Sequence, residues 1–188
     1  MLLPACPSAN LLHRFHRNSR GSAAVEFALV APVFFALLFA IIEIAMIFFA
    51  GQVLETVTQD SARMIMTGQA QNGQVTGCSS TCTQAQFKSY VCSRISVLFD
   101  CANGIYVDVR NYPSMTGFAN VNISPPIDSS GNFIPTTQYN PGNAGDIVVV
   151  RLFYQWPLFV TRLGFNVSNL NNNTRLLTAT AAFKNEPF

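Results

Sequence analysis

Residues 27–50 read FALVAPVFFALLFAIIEIAMIFFA, a run of 24 residues broken only by Pro32 and Glu43. As a helix this run is about 36 Å long, enough to cross a bilayer core of about 30 Å. The alternative, a buried core helix, is a poor fit, since a small domain rarely encloses so many apolar positions in succession. A secretory signal peptide is also a poor fit, because its apolar region spans about 7–15 residues before a cleavage site of small residues. Here the run is longer and leads into Ala50-Gly51-Gln52-Val53-Leu54. Pro32 removes one backbone donor and is expected to kink or locally unwind the helix.

Upstream, residues 1–20 hold Arg14, Arg17 and Arg20 and no acid, and no Lys or Arg follows until Arg63. Positive charge on one flank places the N-terminus in the cytoplasm and the chain beyond about residue 51 on the other side. The whole 188-residue chain carries a net charge of only +2, and charged residues make 11% of it, against about a quarter in ordinary soluble domains. Apolar residues make 49%. Intrinsic disorder is excluded by that composition. Nucleic-acid binding is not expected, since no basic stripe follows the first 20 residues. The two histidines, His13 and His16, both precede the apolar run, so the rest of the chain has no His-based acid–base or metal chemistry.

Downstream, the helix is expected to leave the membrane as an amphipathic stem and run from Ser22 to about Thr67, stopped by Gly68 and Gly73. Residues 68–81 read as a flexible Gly/Gln/Ser/Thr connection. A second helix is expected from about Thr83 to Phe99, capped by Thr83 or Thr81, with Phe87, Val91, Ile95 and Leu98 as its apolar face. Ile105–Arg110 alternates as a half-buried strand; Asp146–Trp156 and Arg175–Lys184 read as two more. Residues 111–144 are rich in Asn, Pro, Gly and Ser and read as one long loop, the first place to look for partner contacts. The expected fold class is α+β: a long N-terminal transmembrane helix continuing as a stem, then a small outer domain with one further helix and a three- to four-stranded antiparallel sheet. The expected divisions are a leader at 1–21, the membrane and stem helix at 22–67, and the outer domain at 68–188.

Of five cysteines, Cys6 precedes the span, and Cys78, Cys82, Cys92 and Cys101 follow it on the oxidising side. Two disulfides are expected there. Three pairings are open, and nearness in sequence favours Cys78 with Cys82 and Cys92 with Cys101. A four-cysteine zinc site would need paired C-x2-C knuckles, which these spacings lack. No metal or cofactor is expected. A catalytic thiol has no histidine to activate it. Asp100, Asp108, Asp128 and Asp146 could in principle supply a carboxylate pair, but no spacing suggests one, and an enzyme is not expected.

The inner edge of the span reads Arg20-Gly21-Ser22-Ala23-Ala24-Val25-Glu26-Phe27. A glycine after basic residues, then four small or apolar residues, Glu and an aromatic, resembles the processing site of type IV pilins and pseudopilins, closest to the tight-adherence (Flp) branch, whose pattern ends in Tyr rather than Phe27. Phe39-Ala40-Ile41-Ile42-Glu43-Ile44 resembles the glutamate-bearing half of a TadE-type anchor. Thr58-Gln59-Asp60-Ser61-Ala62-Arg63 resembles its stem motif, and Phe183-Lys184-Asn185-Glu186-Pro187-Phe188 is similar to the end of many TadE/TadG-type proteins.

The resemblance implies a non-enzymatic pseudopilin or minor pilin of a tight-adherence pilus, in the bacterial inner membrane with its outer domain in the periplasm or carried into the fibre. A prepilin peptidase would cut between Gly21 and Ser22. The implied partners are that peptidase, other pilin or pseudopilin subunits, the pilus assembly platform and membrane lipid. Glu26 would pair with the new α-amino group of a neighbour's Ser22, with Phe27 beside it; its simpler role is a helix-dipole partner wetted at the interface. An ionised mid-membrane glutamate costs about 2.5–3.5 kcal/mol on translocon scales, which neighbouring Leu, Ile and Phe offset. Glu43 therefore still inserts, protonated, facing another helix in assembly, or exposed near the outer interface. The alternative to the pilin reading is an uncleaved bitopic inner-membrane protein whose outer domain binds a partner or the cell wall.

Overall fold

The computed structural model describes residues 21–95, 97–101, 103–113, 119, 121, 124–160 and 166–188. The expected leader, with its arginines, histidines and Cys6, lies outside the described residues apart from Gly21. The fold is α+β, with element order α1 (Ser22–Met66), α2 (Gln84–Ile95), β1 (Ile105–Tyr112), β2 (Ile147–Pro157) and β3 (Thr174–Lys184). The chain packs as two compact units, one ending at Ile42 and the other formed by Glu43–Phe188.

In the first unit α1 runs through Pro32 as helix, so the expected local unwinding is absent. Its large apolar side chains are exposed in unbroken succession; Val33, Phe34, Phe35, Leu37, Leu38 and Phe39 all are, so they point around the whole circumference. A helix apolar on every side is covered by lipid or by other helices. The best 18-residue window of α1 has a mean hydropathy of 2.7.

In the second unit α1 changes character. Ala50, Leu54, Val57, Ala62 and Ile65 are buried at helical spacing and face the core. The helix stops at Gly68, whose φ of +76° is the left-handed cap that glycine adopts without a Cβ penalty. A Cβ there would also lie 2.3 Å from the Phe188 ring. Residues 69–82 are not the open connection expected. Ala70, Val75 and Cys82 are buried, the Cys82 amide bonds to Ala70 O at 2.8 Å, and the Thr81 hydroxyl donates to Gln71 O. Their few apolar side chains reach the core, which polar composition alone had hidden.

Helix α2 opens with a capping box. Thr83 Oγ1 accepts from the Gln86 amide at 3.3 Å, and Gln86 Oε1 accepts from the Thr83 amide at 2.9 Å. Its face is Phe87, Tyr90, Val91 and Ile95. The helix ends four residues earlier than expected, and a turn follows, with Leu98 and Phe99 amides bonding back to Ile95 O.

The sheet is antiparallel, in the order β1-β2-β3, with Asp108 opposite Arg151 and Arg151 opposite Thr180. One face carries Val107, Val109, Val148, Val150, Leu152, Tyr154, Trp156, Leu177 and Ala179 into the core with the stem and α2. Burial of each Leu, Val or Phe side chain stabilises the unit by about 1.5–3 kcal/mol. The other face is also covered: Phe153, Leu170 and Leu176 cluster with Tyr106, Ile127 and Phe133. The long segment after β1 therefore packs on the back of the sheet. It also pairs with the free edge of β1, where the Val109 amide bonds to Gln138 O at 2.8 Å and the Asn140 amide to Val109 O at 2.9 Å. Covering an edge in this way removes a template for unwanted strand pairing.

Candidate functional site

Gly21 is exposed directly before α1, and Ser22 is the first α-helical residue. No atom lies within 4 Å of where a Gly21 Cβ would stand. Glu26 and Phe27 follow on the first two turns, both exposed. The first turn itself holds no acid. Gly21, Ser22, Glu26 and Phe27 thus share one accessible end of the apolar helix.

Glu43 is different. It is only 7% exposed, which overturns the reading of an exposed interfacial glutamate. Its carboxylate accepts the backbone N–H groups of Phe159 and Val160, the latter at 3.2 Å from both oxygens. Those residues stand just beyond the end of β2. The sequence offered no means of finding this pair, because the partners are main-chain groups 116 and 117 residues away. From the next residue on, Ile44, Ile47, Phe48 and Gly51 line a groove together with Val167, which precedes β3, and Arg175 and Leu177 at the start of β3. Phe159 itself is 83% exposed.

The four outer cysteines form two disulfides, Cys78–Cys82 with Cα atoms 5.2 Å apart and Cys92–Cys101 at 5.6 Å. The first closes the connection after the stem, and the second ties the C-terminal half of α2 to the turn before β1. Among the described residues no group of three or more His, Cys, Asp or Glu side chains could hold a metal ion.

The outer acids do not converge. Asp108 is fully buried and receives Arg151 at 2.6 Å, Arg110 at 3.0 Å and the Gln138 amide at 2.8 Å. Asp128 caps its own turn through the Ser130 and Asn132 amides and the Asn132 side chain, and that side-chain hydrogen bond, with the backbone ones, holds its carboxyl below the usual range. Asp146 accepts from Asn111 and from the Asn143 amide. Each of these three carboxylates organises a different stretch of loop. The Asp108 cluster has a signal in the sequence: Arg151 stands inside the apolar run Ile147–Tyr154, which is buried on both faces, and a buried charge demands a partner.

The last residues close the unit. Asn185, 3% exposed, donates to Pro141 O and Asn143 O at 2.9 Å each, while its amide bonds to Asp146 O. The Glu186 amide bonds to Met66 O at 2.9 Å, and the Phe188 ring covers Gly68. The sequence marked this stretch only by resemblance; its geometry makes it a clasp between the end of the stem, the loop before β2 and the end of β3.

No curated protein and no solved structure matches the chain. Residues 21–63, about a quarter of the chain, match the family model described as TadE-like protein.

Proposed function

We propose that this chain is a non-enzymatic, pilus-associated subunit of the tight-adherence type, held in the inner membrane by a single span. Its N-terminus faces the cytoplasm and residues beyond about 51 face the periplasm. A prepilin peptidase removes residues 1–21, and the mature chain assembles through its N-terminal helix beside other pilin or pseudopilin subunits, on the assembly platform. In this reading Glu26 pairs with a neighbour's new α-amino group. The observation that carries the proposal is the uniformly exposed apolar surface of α1 inside the TadE-like stretch, with Gly21 open at its inner end. A surface of that size needs a cover of lipid or other helices. Intact mass and N-terminal sequence of the protein from native membranes, without reductant, test it. A chain starting at Ser22 supports processing. A chain starting at Met1 overturns it and leaves an uncleaved bitopic membrane protein. A Glu26→Ala variant that still assembles would remove the assigned role of that carboxylate.

A further inference from the structure

The apolar run extends to Ala50, yet Glu43, seven residues before its end, is bonded to the Phe159 and Val160 amides just beyond β2. Seven residues of helix are about 10 Å. If the run lies in the bilayer, the backbone of Phe159 and Val160 lies at that depth as well. Three further facts agree with that depth. Phe159 is 83% exposed, and its neighbourhood on α1 is apolar and open, with Ile44, Met46, Phe48 and Phe49 all exposed. Val167 and, at the start of β3, Arg175 and Leu177 share a groove with Ile44, Ile47 and Phe48, so β3 also starts at the level of the apolar run. Finally, non-helical backbone tolerates hydrocarbon only where its polar groups find protein partners. The Glu43 carboxylate is such a partner for two consecutive amides.

We propose that Phe159 and Val160, just beyond β2, and the first residues of β3 are embedded in the outer leaflet of the bilayer, with Phe159 inserted among lipid chains and Glu43 serving as the acceptor that lets the Phe159 and Val160 amides enter. The occupant of this surface is lipid. The Arg175 guanidinium, bonded to Val167 O at 2.8 Å, sits where it can reach headgroup phosphates. The inference rests on the reading of α1 as a membrane span.

The test uses the full chain with Cys6→Ser, reconstituted in phosphatidylcholine/phosphatidylglycerol bilayers with its disulfides intact. A nitroxide is attached to one introduced thiol at a time: Phe159→Cys, Phe35→Cys in the span, or Val97→Cys on the outer surface. All three positions are exposed, so none disturbs the core. Collision with lipid-soluble oxygen and with a water-soluble nickel complex reports depth. The expected result is that the Phe159 label resembles the Phe35 label, with nickel access several-fold below that at Val97 and oxygen access high. If Phe35 is lipid-exposed but Phe159 is reached by nickel, the span stands and insertion is overturned. If Phe159 is shielded from both reagents, protein covers it, and lipid as the occupant is overturned in favour of a second copy. If Phe35 itself is reached by nickel, the span reading fails and this inference falls with it.

Discussion

Asp108 and Arg151 stand opposite each other across the β1–β2 ladder and meet at 2.6 Å, both side chains almost wholly removed from solvent. Arg110 approaches the same carboxylate from its own strand. One acid thus holds two guanidinium groups on the back face of the sheet and, through the Gln138 amide, fixes the segment that covers the β1 edge. Removing one partner from a buried pair leaves the other charge uncompensated, at a cost of about 3–5 kcal/mol. Asp108→Asn is therefore expected to destabilise the outer unit by about that amount. Urea unfolding followed through Trp156 fluorescence measures it, and a loss below about 1 kcal/mol would sink the assignment.

Glu43→Ala removes the acceptor of the Phe159 and Val160 amides. Glu43→Gln keeps one carbonyl oxygen in place. Hydrogen exchange of the Phe159 and Val160 amides is expected to speed up strongly in Glu43→Ala and only modestly in Glu43→Gln. Equal, unchanged exchange in both variants would show that the carboxylate does not hold this turn.

The Tyr139 hydroxyl is buried with no hydrogen-bond partner among the described residues, and burial raises its pKa far above the ordinary value of 10. A folded-state pKa above the unfolded one means stability that is complete below about pH 10 and is lost as pH rises through the folded value. Denaturation at pH 7 and at pH 11 is expected to show alkaline weakening in the native chain and less of it in Tyr139→Phe. At pH 7 the Phe variant is expected to be as stable or more so, because it removes an unpaired polar atom. Marked destabilisation at pH 7 would mean that the hydroxyl has a partner after all.

The two disulfides close short loops, with sequence separations of 4 and 9. On the chain-entropy model each contributes about 2–3 kcal/mol, the longer one slightly more. Cys92→Ser/Cys101→Ser is thus expected to lower the unfolding midpoint more than Cys78→Ser/Cys82→Ser. The reverse order, measured by denaturant titration, would count against loop closure as the source of stability.

The parts of this architecture that a sequence reveals are those written in local pattern. The apolar half of α1 is legible because it has no polar side, and the strands because Val, Ile and aromatics cluster between turn residues. The start of α2 is legible to within two residues, since Thr81 and Thr83 are both followed three residues later by Gln and only the hydrogen bonds select Thr83 with Gln86. The covering of the back face is less legible, because Ile127 and Phe133 are isolated apolar residues in a polar stretch and meet Phe153 only once the sheet exists. Even so, β2 carries a hint: its residues are apolar on both faces, which a sheet with one wet side would not need. Glu43 is the hardest case. Its charge marks it as unusual, but its partners are main-chain amides, and every residue except proline has one.

The clasp at the end of the chain changes how the outer unit would carry tension. A pull along the stem arrives at Met66. From there it has two parallel routes into the sheet: one along the covalent chain through residues 67–104 into β1, the other through the Met66 carbonyl to the Glu186 amide and so into β3. The first route is itself shortened by Cys78–Cys82 and by the Cys82–Ala70 bond. Because β1 and β3 flank β2 on opposite sides, the load enters the sheet at both edges and is shared across the ladder rather than peeling one strand from its neighbour. A unit wired in this way resists extension as a stiff link.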